Sequence, residues 1–135
     1  MHARNSYDYA LIRLVPCVER GEYINVGVIL FCRTLGFLGT LTYMDEQRIQ
    51  ALAPHLDLDM VQQHLDTIAL VCAGAKEMGE IGQLSQSERF HWLVSPRSTI
   101  IQPSPVHTGW SNDPEATLHH LLDTMVRPLV NTKRT

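Results

Sequence analysis

The chain has no basic surplus, no paired cysteines, no metal-ligand spacing and no apolar run of bilayer length, and each absence removes a class of function. Eleven Lys and Arg against 14 Asp and Glu give a formal net charge of −3. A module that lives on phosphate contacts carries a basic excess, so nucleic acid is set aside as a partner. The 3 cysteines, Cys17, Cys32 and Cys72, are odd in number and lie in or beside apolar stretches, where a thiol acts as a small hydrophobe. That usage suits a reducing cytoplasm. Runs such as Val28 to Cys32 are far too short to span a bilayer, and Met1 to Ser6 leads into a strand pattern without an apolar leader core. A soluble cytoplasmic protein with no membrane partner is expected.

Catalytic signatures are missing as well. The 7 histidines are scattered, with no HxxxH or HxxE spacing. The adjacent pair His119 and His120 points about 100° apart on a helix and cannot chelate jointly. No metal and no cofactor are expected. There is no GxSxG nucleophile elbow, no GxGxxG and no GxxxxGK[ST], so neither a hydrolase turn nor a phosphate-cradling loop is claimed.

What is present fits one domain, residues 1–135, able to bury its own core: 135 residues, 44% hydrophobic and 19% charged. Tyr7 to Val15 alternates as a strand that Pro16 ends, with Tyr7, Tyr9, Leu11, Arg13 and Val15 on one face and Ala10, Ile12 and Leu14 on the other. Tyr23 to Cys32 is apolar on both faces, as a central strand is. Gly27 in its middle leaves room for a bulge or a close contact, and a period of two points Asn25 and Gly27 the same way. Phe37 to Tyr43 follows Thr34-Leu35-Gly36 as the second arm of an antiparallel hairpin.

From Asp45 the period turns helical. Asp45 caps Glu46 to Ala53, Asp57 caps Leu58 to Ala73, and Gly74 closes the second helix, whose buried stripe is Leu58, Val61, Leu65, Ile68 and Cys72. Gly74 to Gln83, with three glycines, reads as a loop. Ser85-Gln86-Ser87-Glu88 has the form of a capping box before a short helix, Ser87 to Leu93. Ser98 to Gln102 reads as a fourth strand. Asp113-Pro114-Glu115 starts a last helix that runs to about Arg127 and buries Leu118, Leu121, Leu122, Met125 and Leu129. Asn131 to Thr135 reads as a frayed tail. The order β-β-β-α-α-(α)-β-α predicts an α+β fold: an antiparallel sheet of about four strands with helices packed mainly on one face.

The segment Pro96 to Gly109 concentrates the polar chemistry. Pro96, Pro103 and Pro105 fix φ at three places, and a segment held in one shape suits a binding surface. Arg97 offers a planar fork, Ser98 and Thr99 hydroxyl donors, Gln102 an amide, His107 a charge near neutrality, and Thr108-Gly109 backbone amides for an anion. On a functional reading Arg13, Glu22 and Asn25 line the same cavity. The favoured reading pairs Arg13 with Glu22 or an acidic helix end and makes Glu19 to Glu22 a charged turn feeding the core strand. Ser98, Ser104, His107 and Asp113 hold the residue types of a nucleophile, base and orienter, but residue types are not geometry, and the same groups serve equally to satisfy a loop backbone. Trp110 and Trp92 flank the segment as interface anchors or as core.

Tyr7 to Pro16, Gly21 to Cys32, Ser87-Glu88-Arg89-Phe90 and the Pro96 to Gly109 run together resemble the bacterial family known as domain of unknown function 3037, in four separated blocks spanning nearly the whole chain. The resemblance implies a small bacterial cytoplasmic protein and a protein partner, a kinase similar to the toxin HipA. It carries no established activity and no catalytic residues. The reading that follows is a non-enzymatic binding or regulatory module whose partner surface includes Pro96 to Trp110. The alternative is a small enzyme or ligand-binding protein for a phosphorylated or carboxylated small molecule, with Arg97 holding the anion and His107 as acid or base. A homodimer through an uncovered edge strand stays open.

Overall fold

The computed structural model describes residues 4–129. Five antiparallel strands form one sheet: β1 (Asn5–Leu14), β2 (Ile24–Cys32), β3 (Phe37–Thr42), β4 (Ile101–Pro103) and β5 (His107–Ser111). β1 is central. β2 pairs along one side of it, with β3 beyond, while β4 and β5 share its other side end to end. The helices are α1 (Glu46–Leu52), α2 (Leu58–Ala73), α3 (Gly79–Gln83), α4 (Gln86–Leu93) and α5 (Pro114–Met125). The α+β architecture and the order of elements follow the sequence expectation, with β5 and α3 added. The frayed tail expected at Asn131 to Thr135 lies outside the described residues.

The alternation of β1 assigns the two cores. Ile12 and Leu14 join Ile29 and Phe31 of β2 in the larger one, which α1, α2 and α4 cover through Ile49, Val61, Leu65 and Phe90. Tyr7, Tyr9 and Leu11 flank the smaller one on the opposite face, where α5 packs Leu118, Leu121 and Leu122 on Val28 and Leu30. Each such side chain contributes about 1.5–3 kcal/mol on burial. The helices start where short acceptors meet orphan N–H groups: Asp45, Asp57 and Asp113 accept from the first turns of α1, α2 and α5. Ser85 and Glu88 complete a reciprocal capping box on α4. The Ser85 backbone N–H donated to Glu88 holds that carboxyl below its ordinary range, so the cap contributes at neutral pH and is lost as pH falls through the lowered value.

Two bulges lie side by side across β1. On the β2 side, Ile12 pairs with Gly27 and Arg13 with Asn25, leaving Val26 as the extra residue. The faces of β2 exchange there. Val26 and Ile24 join the larger core, although Val28 and Leu30 belong to the smaller. Asn25 and Gly27 therefore point to opposite faces, contrary to the period-two expectation. Gly27 answers both of its suggested roles: it sits at the bulge, and a Cβ there would come 2.8 Å from Ile12 Cδ1 and 3.0 Å from the Leu41 carbonyl oxygen.

On the other side, Ala10 and Leu11 face three residues, Ser104 to Val106, between the ends of β4 and β5. Pro103 and Pro105 have no N–H to give to the ladder here. Ser104 repairs it. Its N–H donates to the Leu11 carbonyl at 2.8 Å, its Oγ accepts the Leu11 N–H at 2.8 Å, and its hydroxyl donates to the Pro105 carbonyl at 2.8 Å. Ser104 is 3% exposed, the one buried polar residue among those described. Farther along, a Cβ on Gly109 would meet the Tyr7 ring at 2.6 Å from Cζ, so the tyrosine lies flat over its cross-strand glycine. Burial there, and Tyr9 beside it, raise the Tyr7 phenol above its usual pKa.

Differences from the expected elements have local causes. Gly79 to Gln83 forms a helical turn rather than a loop, because Gly82 packs too close to the Ala75 carbonyl to carry a side chain and is itself buried. α5 ends at Met125, two residues short of the expected end. Val126 becomes its last core contact, leaving Met125 43% and Leu129 87% exposed rather than buried. Cys32 and Cys72 are buried and free, while Cys17 is exposed. Burial pushes the Cys72 thiol up to about 12.

Two outcomes follow. Ser104→Ala leaves the Leu11 N–H without an acceptor and is expected to cost roughly 1–3 kcal/mol in urea unfolding, with faster amide exchange at Leu11. Native protein treated with a thiol reagent at neutral pH is expected to label Cys17 rapidly and the other two only on unfolding; fast labelling of Cys72 would contradict its burial.

Candidate functional site

The proline-braced segment is docked on the sheet, but its polar groups do not gather at one point. Arg97, in the turn after α4, donates from Nη2 to the Trp92 carbonyl at 2.8 Å, and its guanidinium stacks 4.6 Å over the Trp92 ring. It borders a cleft on the larger-core side. His107, on β5, sits 5.3 Å from the Tyr9 ring, on the face of the smaller core. The guanidinium and imidazole imagined as one site thus stand on opposite faces of the sheet. Ser98 is exposed. Thr108 donates to Asp8 Oδ1 at 2.8 Å across the strands, which settles its hydroxyl.

Three of the named residues do come together. Arg13 on β1 is the register partner of Asn25 on β2 and of Gln102 on β4, so their side chains form a polar row across three strands on the α5 face. Asn25 Nδ2 donates to the Met125 carbonyl at 3.2 Å, closing the end of α5. Gln102 Nε2 donates to the Thr99 carbonyl at 2.8 Å. The Arg13 guanidinium lies 4.2 Å over the Tyr23 ring, yet its buried Nε has no partner, and neither has the buried Asn25 Oδ1 beside it. A donor and an acceptor left open side by side match a water or an amide, not an anion alone.

Glu22 belongs to neither group. It forms an exposed ion pair with Arg20 at 2.6 Å, and that hydrogen bond holds its carboxyl below the ordinary range. It borders a shallow groove with Tyr23, Arg48 and Leu52, not the cleft of Arg97.

The arrangement does not assemble a catalytic constellation. Ser104 is consumed by the ladder, Asp113 caps α5 through the Ala116 N–H at 3.1 Å, and no hydrogen bond joins either to His107. Among the described residues no group of three His, Cys, Asp or Glu could hold a metal ion. No helix among them is long and apolar enough to cross a membrane.

Sequence reasoning missed His64 and Thr67, which α2 brings to the Arg97 cleft beside Ile68. Their spacing, one turn apart on the exposed flank of a helix, gave no signal, because the partner Trp92 comes from another element. It also missed Arg89, whose guanidinium donates to the carbonyls of Leu84 and Cys72 and so closes the ends of α3 and α2.

Asn25→Ala removes the side-chain cap on α5 and is expected to cost roughly 0.5–1.5 kcal/mol, with the extra amide exchange confined to the last turn of α5. An unchanged midpoint would show that the Met125 carbonyl finds water at no cost.

No curated protein and no solved structure matches the chain. A family model does, over residues 9–126, from the middle of β1 to the last core residue behind α5. That span takes in the second half of the central strand, both bulges, the polar row and the Arg97 cleft, and on it the chain belongs to the family described as "Protein of unknown function (DUF3037)".

Proposed function

We propose that this protein is a non-enzymatic binding or regulatory module that takes a protein partner along its β4–β5 edge, with Trp110 as the anchor. One observation carries the reading. β5 pairs with β1 on one side and with no strand on the other among the described residues, and it holds Trp110 at 65% exposure. Val106, in the bulge just before that strand, is 44% exposed.

An exposed tryptophan on a free sheet edge combines the two elements of strand-addition recognition. The outward backbone groups of β5 offer a ladder, and the indole offers area at small entropic cost. Natural edges are ordinarily blunted by charge. β5, His107-Thr108-Gly109-Trp110-Ser111, carries no Lys, Arg, Asp or Glu. Its backbone is also held firm, because Tyr7 covers Gly109 and Thr108 is tied to Asp8, so little order remains to be imposed on binding. The partner that the family resemblance implies, a HipA-like kinase, is the first to test. The small-molecule alternative is not favoured as an enzyme, since Arg97 and His107 stand apart.

The test is calorimetric titration of a HipA-like kinase with the wild type, Trp110→Ala and Val106→Lys. Truncation of an anchor residue is expected to weaken binding about thirtyfold or more, equivalent to ~2 kcal/mol. Unaltered affinity in both variants would refute the edge as the surface. Light scattering on the free protein separates the remaining outcome: a dimer that Val106→Lys dissociates would make a second copy the occupant.

A further inference from the structure

On the larger-core side, away from the β5 edge, a cleft of about 240 Å³ opens between α2, α4 and the approach to β4. Buried Ile101 and half-buried Ile68 form its apolar base, with exposed His64 and Thr67 at its rim. Trp92 and Arg97 make the remaining wall, and Thr99 completes the lining. The volume suits a ligand of roughly ten non-hydrogen atoms at ordinary packing density.

The donors facing this space select its occupant. The Thr67 hydroxyl donates to the Gln63 carbonyl at 3.1 Å and that of Thr99 to the Ile101 carbonyl at 2.7 Å, so neither has a hydrogen left for an anion. Arg97 differs. Among the described residues no carboxylate pairs with it, and of its N–H groups one goes to the Trp92 carbonyl. That bond and the stack on the Trp92 ring fix the guanidinium plane before any ligand arrives. A phosphate monoester, with close to two charges and three acceptor oxygens, would find only one fork and the rim imidazole of His64, too few donors for its oxygens. A planar carboxylate is satisfied by one.

We propose that this cleft binds a small monocarboxylate with an apolar body, the carboxylate on Arg97 and the hydrocarbon along Ile68, Ile101 and Trp92. The site is independent of the partner edge. A ligand here would touch α2, α4 and the start of β4 together, joining elements that are far apart in sequence.

The test uses the full chain carrying Trp110→Phe, which leaves Trp92 as the only indole and removes the edge anchor, so its result is readable whatever becomes of the partner proposal. Hexanoate, hexanamide and inorganic phosphate are titrated while Trp92 fluorescence and the amide resonances of Ile68 and Thr99 are followed. Hexanoate is expected to saturate at least about tenfold more tightly than hexanamide. Arg97→Met, which keeps the apolar stem, is expected to abolish that preference with only a small fall in Tm from the lost Trp92 carbonyl bond, and Arg97→Lys to retain part of it. Equal binding of the amide would reduce the cleft to an apolar groove. Displacement of hexanoate by equimolar phosphate would make it a phosphate site, and no saturable response to hexanoate, or full binding by Arg97→Met, would overturn the proposal outright.

Discussion

A central strand must have both rows of its backbone groups paired, because a buried, unpartnered amide costs as much as a side-chain contact gains. In this protein that requirement falls on β1, whose neighbour on one side is interrupted by prolines that cannot donate. One serine resolves it. With Ser104 in place, β4 and β5 act as a single edge on β1, α5 returns over the smaller core, and the stiff segment becomes part of the sheet rather than a loop laid over it. Asn25 makes the matching connection at the other end, fastening β2 to the last turn of α5.

Much of this was legible in the residues. Alternation in Tyr7 to Leu14 assigns the two faces of β1 correctly, since side chains separated by two residues must share a face. The Asp caps and the Ser85–Glu88 box mark helix starts, because few other side chains reach the orphan N–H groups of a first turn. Legibility ends where pairing is non-local. His107 to Ser111 has none of the apolar alternation of a strand, and only its register with Asn5 to Tyr9 makes it one. The extra residue at Val26 is likewise set by the partner strand: Gly27 advertised a bulge, but not that Ile24 and Asn25 would exchange faces across it.

The site was less legible than the fold, for a related reason. Arg97 stood out as an unclaimed fork, but what it could hold depends on Trp92 beneath it and on Ile68 and Ile101 opposite, from three separate elements. Residue types that suggest a triad were drawn into structural service. Ser104 completes a ladder and Asp113 a cap, tasks that use the same hydrogen-bonding capacity as catalysis. The Arg13–Asn25–Gln102 row was named residue by residue, yet its coherence comes only from the bulge that sets Asn25 opposite Arg13.

The adjacent bulges at Val26 and at Ser104 to Val106 crease the sheet along one transverse line. Loop lengths can drift among descendants of such a chain, for example around Gly36 or between α1 and α2, without disturbing what is inside. Along the crease they cannot: losing or gaining a single codon there would turn every side chain downstream in that strand to the wrong side of the sheet. Length at those two places should therefore be the most rigid inheritance of the fold, more so than the identity of the residues that occupy them.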